Sequence, residues 1–241
     1  MPYISITEEQ KQQMLQAIGI SSMEGLFTDI PKQLRAKSFH LPAGKSEMET
    51  RDIFSRIASR NRTDLISFLG AGFYDHYIPS VVDALSSRSE FYTAYTPYQP
   101  ECSQGTLQAI YEYQTMICRL TGLDAANASL YDGGTAIYEA VLMALRITQR
   151  KKIVLDAGVN PIYKRMLYSY MKTRAVKVQE VDLSGDRINR EAIQSALDEK
   201  TAALLVQNPN FLGVIDDYSD LSDKAHKQGA LVIGCVYPIS L

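Results

Sequence analysis

From Lys152 onward the chain repeats one alternation. Strand-length runs KIVLDAG, AVKVQEVD, TAALLVQNPN and ALVIGCV are separated by helix-length runs PIYKRMLYSYMKTR, NREAIQSALDE and YSDLSDKAHKQG. Strands that take turns with helices are joined by right-handed crossovers and therefore lie parallel. Their nearly unbroken Val, Ile, Leu and Ala content is what a sheet requires when helices cover both faces. The alternation predicts an α/β fold with a mainly parallel sheet. After the last strand only YPISL remains, so the expectation is a domain incomplete at its C-terminus. Ligands of open α/β sheets bind beyond the carboxyl ends of the strands. That rule points to residues 132–135, 156–160, 208–213 and those after Val236.

The part before the alternation reads differently. Two amphipathic helices are predicted, one from Glu8 to Ile18 closed by Gly19, the other from Glu47 to Ala58 opened by Ser46 with Glu49 in capping-box spacing. Between them FTDIPKQLRAKSFHLPAG has Pro31, Pro42 and Gly44 and no sustained periodicity, so it reads as an arm that packs on something else, such as another chain. The division expected is a helical arm and connector over 1–66 and a large α/β domain over 67–241. Within the latter, Pro79 opens a helix with Val82 and Leu85 on its inner face. FYTAYTPYQPECSQGTLQ, residues 91–108, reads as an irregular loop because Pro97 and Pro100 withhold backbone donors. Its rings are either core packing or, with Glu101 and Gln104, a recognition surface. A buried helix is expected over 106–120, ended by Gly122.

Charge and motifs exclude several functions. Lys and Arg number 25 against 27 Asp and Glu, a net charge of -2 that supplies no long-range attraction for nucleic acid or anionic membranes. No apolar run is long enough to cross a bilayer, and the amino terminus lacks a basic region followed by an apolar stretch, so a cytoplasmic location is expected. Cys102, Cys118 and Cys235 form no CxxC pair, and His40, His76 and His226 form no ligand pattern, so no metal site is expected. Cys118 and Cys235 sit in apolar runs and read as buried small hydrophobes. The DGGT segment at 132–135 permits two readings: Gly133, Gly134 and Thr135 as an anion cradle at a helix start, or Asp132 as a plain N-cap before a tight turn. It matches neither the GxGxxG nor the Walker A pattern.

Four runs, SFLGAGFYDHYIP (67–79), YTAYTPYQPECSQGTLQ (92–108), YDGGTAIYEA (131–140) and QNPNFLGVIDD (207–217), closely resemble the N-terminal subunit of two-subunit glycine decarboxylase, the P-protein of the glycine cleavage system. All lie in the family order. The resemblance spans the whole chain but only the first part of that subunit. It implies a pyridoxal-phosphate-dependent transferase-like fold of the aspartate aminotransferase type and an α2β2 complex with a C-terminal P-protein subunit. That complex decarboxylates glycine and passes the aminomethyl group to the lipoyl arm of H-protein. The resemblance also assigns the cofactor-bearing lysine to the partner. In this chain the positions expected to face the pyridine nitrogen are Val236 and Tyr237, neither a carboxylate. By the same resemblance the 95–104 loop lies near the subunit joint, so Tyr95 and Glu101 are candidates for a shared catalytic site, with Tyr98, Gln99 and Gln104 as substrate or interface residues. Cys102 stands where an aliphatic residue is expected. Two other readings stand beside this one: a free-standing pyridoxal-phosphate lyase or transferase, and a scaffold subunit that never touches substrate.

Overall fold

The computed structural model describes residues 5–38, 40–70, 75–92, 96–97 and 99–241. These fall into two compact units, 1–68 and 69–241.

In the first unit both predicted helices form at the predicted bounds, α1 over Glu8–Ile18 and α2 over Glu47–Ala58. Each starts with a reciprocal capping box, Thr7 with Gln10 and Ser46 with Glu49, which satisfies two orphan backbone donors apiece. Gly19 closes α1 at φ 82°, a left-handed turn that a side chain would strain. Leu15 is the buried side chain of α1, whereas α2 buries none and leaves Met48, Phe54 and Ile57 exposed. The connector between them holds two 3-10 turns, Met23–Phe27 and Lys32–Leu34. Arg35 ties these together by donating to the Ile30 and Phe27 carbonyls and pairing with Glu24.

The second unit begins with three helices, α3 (Ser80–Ser86), α4 (Ser89–Tyr92) and α5 (Pro100–Thr121). Val82 and Leu85, expected on an inner face of α3, are half exposed. The helix expected from Thr106 already begins at Pro100, inside the stretch read as loop. Proline at the first helical position surrenders only an N–H that would have no intrahelical partner, so it opens the helix here. A kink at Ser103 (φ -122°) marks where this first turn joins the remainder. The rest of α5 is partly covered and has no fully buried residue, with Tyr111 and Leu120 facing out, so the expected buried helix is a half-covered one.

The alternation then unfolds in order: α6 (Gly133–Thr148), β1 (Lys152–Asp156), α7 (Pro161–Met171), β2 (Lys177–Val181), α8 (Arg190–Ala196), β3 (Thr201–Asn208), α9 (Ser219–Lys227) and β4 (Leu231–Val236). All pairings are parallel and the strand order is β2-β1-β3-β4. Successive side chains of a strand point to opposite faces, and the core divides accordingly. Ile153, Leu155, Ala203 and Leu205 pack with α6 and α7 through Val141 and Leu167. Val154, Leu204 and Val206 pack with α8 and α9 through Ile193 and Leu221. Each such aliphatic side chain removed from water contributes roughly 1.5–3 kcal/mol, which explains the full burial of Ile153, Val154 and Leu155 in β1.

The helix placement follows from the order of strands. The step from β1 to β2 goes one way across the sheet, and the step from β2 to β3 returns past β1. A right-handed crossover in each direction sets α7 on one face and α8 and α9 on the other. The topological switch point therefore lies between the carboxyl ends of β1 and β3.

Candidate functional site

At the switch point the chain fills its own crevice. The loop after β1 and the loop after β3 are laced together: Phe211 N–H donates to the Gly158 carbonyl at 2.7 Å and Asn160 N–H to Gln207 Oε1 at 2.8 Å. Asn210 accepts from the N–H groups of Leu212 and Val214 and donates to the Asp186 carbonyl at 2.9 Å. Asn208 exchanges hydrogen bonds with the backbone of Asp216, and the Asn208–Pro209 peptide is cis. Gly158 is required for this closeness, since a Cβ there would lie 3.0 Å from that of Asn210 and 3.1 Å from Asp156 Oδ2. Among the described residues no buried side-chain polar atom lacks a partner.

Asp156 ends β1 beneath this loop with no solvent exposure. Its carboxylate accepts from Gly158 N–H at 3.2 Å and from the Tyr218 hydroxyl at 3.4 Å. Burial pushes the Asp156 carboxyl above its ordinary value, and the two donors and nearby Lys164 only partly oppose that push. Tyr218 also donates to the Gln207 carbonyl at 3.1 Å, and burial followed by the Asp156 and Asp216 carboxylates raises its hydroxyl. Next to this pair, Asp216 accepts from Ile188 N–H and pairs with Arg187 at 3.0 Å. Polar groups so placed lock the two loops together.

The residues singled out in the sequence occupy two other places. Gln99 is the N-cap of α5, and Glu101 and Gln104 are exposed at its start. A carboxylate in a first helical turn is also favourable to the helix dipole, which is its ordinary structural use. Tyr95 and Tyr98 lie outside the described residues. Gly133, Gly134 and Thr135 open α6, where the Asp132 carboxylate accepts the Thr135 N–H at 2.7 Å and is held below its usual range by that bond. A negative charge thus already occupies the mouth of α6. The two glycines admit α7: a Cβ on Gly133 would meet the Tyr163 hydroxyl at 2.7 Å, and one on Gly134 the Met166 sulfur at 2.5 Å. No hydrogen bond or ion pair joins the start of α5 to the start of α6 among the described residues, nor do these hold a metal-ligating cluster. Cys102 is exposed, and Cys118 and Cys235 are half-buried where full burial was expected.

Sequence reading located both loops of the switch point but missed Tyr218 and Gln207 as their fasteners. The QNPN run that ends β3 was the available signal, because three amides at the end of a buried strand must find partners.

A crystal structure of glycine decarboxylase (P-protein) of the glycine cleavage system, in inhibitor-bound form, superposes with a TM-score of 0.88 at 42% identity. It covers 99% of this chain, which in turn covers 54% of that one. Together with the parallel sheet this defines the class: an α/β fold of the pyridoxal-phosphate-dependent transferase-like, aspartate aminotransferase type. The profile of the family described as Glycine cleavage system P-protein matches residues 1–241, and the chain belongs to that family. Two proteins bearing the description "Probable glycine dehydrogenase (decarboxylating) subunit 1" are similar to it. One, from Maridesulfovibrio salexigens, is 54% identical over 239 residues, 99% of this chain; the other, from Geotalea daltonii, is 55% identical over all 241. The chain spans about half, 54%, of the length of each.

Against that background the chain's own residues can be tested for pyridoxal phosphate. The cofactor's ring works as an electron sink when an acidic group faces its nitrogen. Val236 ends β4 and Tyr237 follows it, and the first turn of α6 is capped by Asp132. At these positions the chain offers no carboxylate to a ring nitrogen. Among the described residues no helix is long and apolar enough to cross a membrane.

Proposed function

We propose that this chain serves as the N-terminal, non-cofactor-bearing subunit of a glycine decarboxylase in the glycine cleavage system. The observation that carries the reading is the family match over every residue together with the 0.88 superposition on a P-protein. In this reading the C-terminal P-protein subunit holds pyridoxal phosphate, the assembly is α2β2, and it works in the cytoplasm. Glycine is decarboxylated there and its aminomethyl group passes to the lipoyl group of H-protein.

This chain's part is to complete the partner's site. Tyr95 and Glu101 act toward the substrate, while Tyr98, Gln99 and Gln104 shape the joint between subunits. The carboxylate exposed at the start of α5 supports that role, since among the described residues it enters no ion pair. Gly133, Gly134 and Thr135 serve α6–α7 packing in place of an anion cradle. The Asp132 cap and the close approach of Tyr163 and Met166 support that assignment.

Two arms test this. Borohydride reduction of the full-length complex with pyridoxal phosphate should place a stoichiometric lysine adduct on the partner and none on this chain. Separately, Glu101→Gln and Tyr95→Phe should lower glycine decarboxylation about a hundredfold, the usual cost of one lost oriented polar contact, with the complex still assembled. A unique adduct on this chain defeats the division of labour. Unchanged turnover by both variants returns the α5 start to a structural role.

A further inference from the structure

The edge of the sheet opposite the switch point carries a concentration of positive charge. A cleft of about 420 Å³ there is bordered by Arg146 at the end of α6, Arg150 and Lys151 on the way to β1, and Arg174 before β2. Leu142, Leu145 and Val176 form its apolar floor, and no carboxylate lines it. A second cleft of about 620 Å³ shares Gln149, Arg150 and Lys151 with the first and extends the cationic edge through Lys177 and Lys200. Its two acids are Asp198, bound to Lys152 at 2.8 Å, and Glu199.

Few of these charges are used by the fold. The Arg150 guanidinium donates to the carbonyls of Thr201 and Gln228 at 2.9 and 2.7 Å, which anchors it without neutralising it. Arg174 donates to the Tyr138 hydroxyl at 3.5 Å and, among the described residues, enters no ion pair. Among the described residues Arg146, Lys151 and Lys177 enter no ion pair. In a chain whose net charge is -2, an edge with seven cations and two acids across its two clefts is a local segregation of charge. Like charges in one cleft repel, and a partner that supplies the opposite sign gains from them both steering and register.

We propose that this edge is a docking surface for an acidic protein, one that presents carboxylates around an aliphatic side chain. The shape selects a protein over a small anion. Small-molecule sites enclose most of the ligand surface, whereas these two clefts adjoin through Gln149, Arg150 and Lys151 and spread their cations from Arg146 to Lys200. The chemistry selects the sign and the centre: guanidinium forks pair bidentately with carboxylates at a rim, and the leucine floor takes an apolar anchor. The surface lies at the amino-terminal ends of the strands, so its use leaves the switch-point loops undisturbed.

The test uses the full-length chain in its assembled complex and a synthetic peptide of alternating Glu and Leu, with a Gln-for-Glu peptide as control. Binding to the acidic peptide alone is expected, with a Kd that rises at least tenfold in a variant carrying Arg146→Glu, Lys151→Glu and Arg174→Glu together. Raising salt should weaken the wild type more than the variant. Near-ultraviolet circular dichroism checks the fold. Should the triple variant unfold, Lys151→Glu alone in the same salt series replaces it, because that exposed side chain enters no ion pair among the described residues. Equal binding by wild type and variant overturns the proposal. So does tight binding of tripolyphosphate, at matched ionic strength, without binding of the peptide, which would make the edge a small-anion site. A loss of thermal stability with no loss of peptide binding assigns it instead to a contact within the chain.

Discussion

Asp156→Asn should stabilise the chain at neutral pH. The wild-type carboxyl is wholly buried at the end of β1, with two long hydrogen bonds to offset its charge, and burial raises its pKa. For a carboxyl raised in the folded state, the unfolded chain ionises first as pH rises. Ionisation above the folded pKa then weighs against the fold, and the penalty fades as pH falls toward the unfolded value. Each unit of such a shift is about 1.4 kcal/mol. Asparagine keeps an acceptor for Gly158 N–H or the Tyr218 hydroxyl and removes the charge, so a gain on the order of 1 kcal/mol at pH 7 is expected. For a chain of this size that is about 2–4 °C in Tm. Urea melts of both proteins from pH 4 to pH 8 measure it. The stability difference should grow with pH and shrink toward pH 4. The neighbouring charges enter with known signs: Lys164 favours the carboxylate and Asp216 opposes it. A variant less stable than wild type at pH 7 by more than about 1 kcal/mol would refute the reasoning, because the charge would then be holding the loop through Lys164.

Three other outcomes follow from the same contacts. Leu204→Ala should cost about 2–5 kcal/mol by calorimetry or urea melts, since the side chain is fully buried between β3 and α8 and its neighbours cannot collapse completely. Gly134→Ala should be destabilising beside Met166 but much less so in a Met166→Ala background, and a double-mutant cycle should give a coupling of about 1 kcal/mol; additive effects would remove the α6–α7 explanation of the DGGT glycines. Lys152→Met should destabilise at neutral pH, with the difference from wild type shrinking as the medium is acidified. Lys152 is the first cause that holds the Asp198 carboxyl down at about 2, so the pair's contribution is present above the unfolded value and is lost as pH falls through that region.

The alternating half of the fold was legible because period and composition agree there: buried strands of Val, Ile and Leu can belong only to a covered parallel sheet. The caps of α1 and α2 were legible for a similar reason, since the capping box is a local code. Residues 100–105 were read as loop because two prolines signal a break, and only position within the helix decides whether Pro100 breaks α5 or begins it. Exposure on α3 and α5 was not legible at all. Periodicity marks which face is apolar but not whether anything covers it, and Val82, Leu85 and Leu120 are apolar side chains that stand exposed. At the site, Asp132 was readable as a cap or as part of a cradle, and the Thr135 N–H donates to its carboxylate as a cap requires. Tyr218 sits 62 residues from Asp156, a pairing no local pattern announces.

The central claim is that this chain completes a glycine decarboxylase whose cofactor another subunit carries. Exchange of labelled carbon dioxide into the carboxyl group of glycine tests it most directly, with the full-length chain, the C-terminal P-protein subunit, H-protein and pyridoxal phosphate added singly and together. Exchange should require both P-protein subunits and be absent when either is left out. Exchange sustained by this chain and pyridoxal phosphate without the second subunit, or by the second subunit at full rate without this chain, would contradict it.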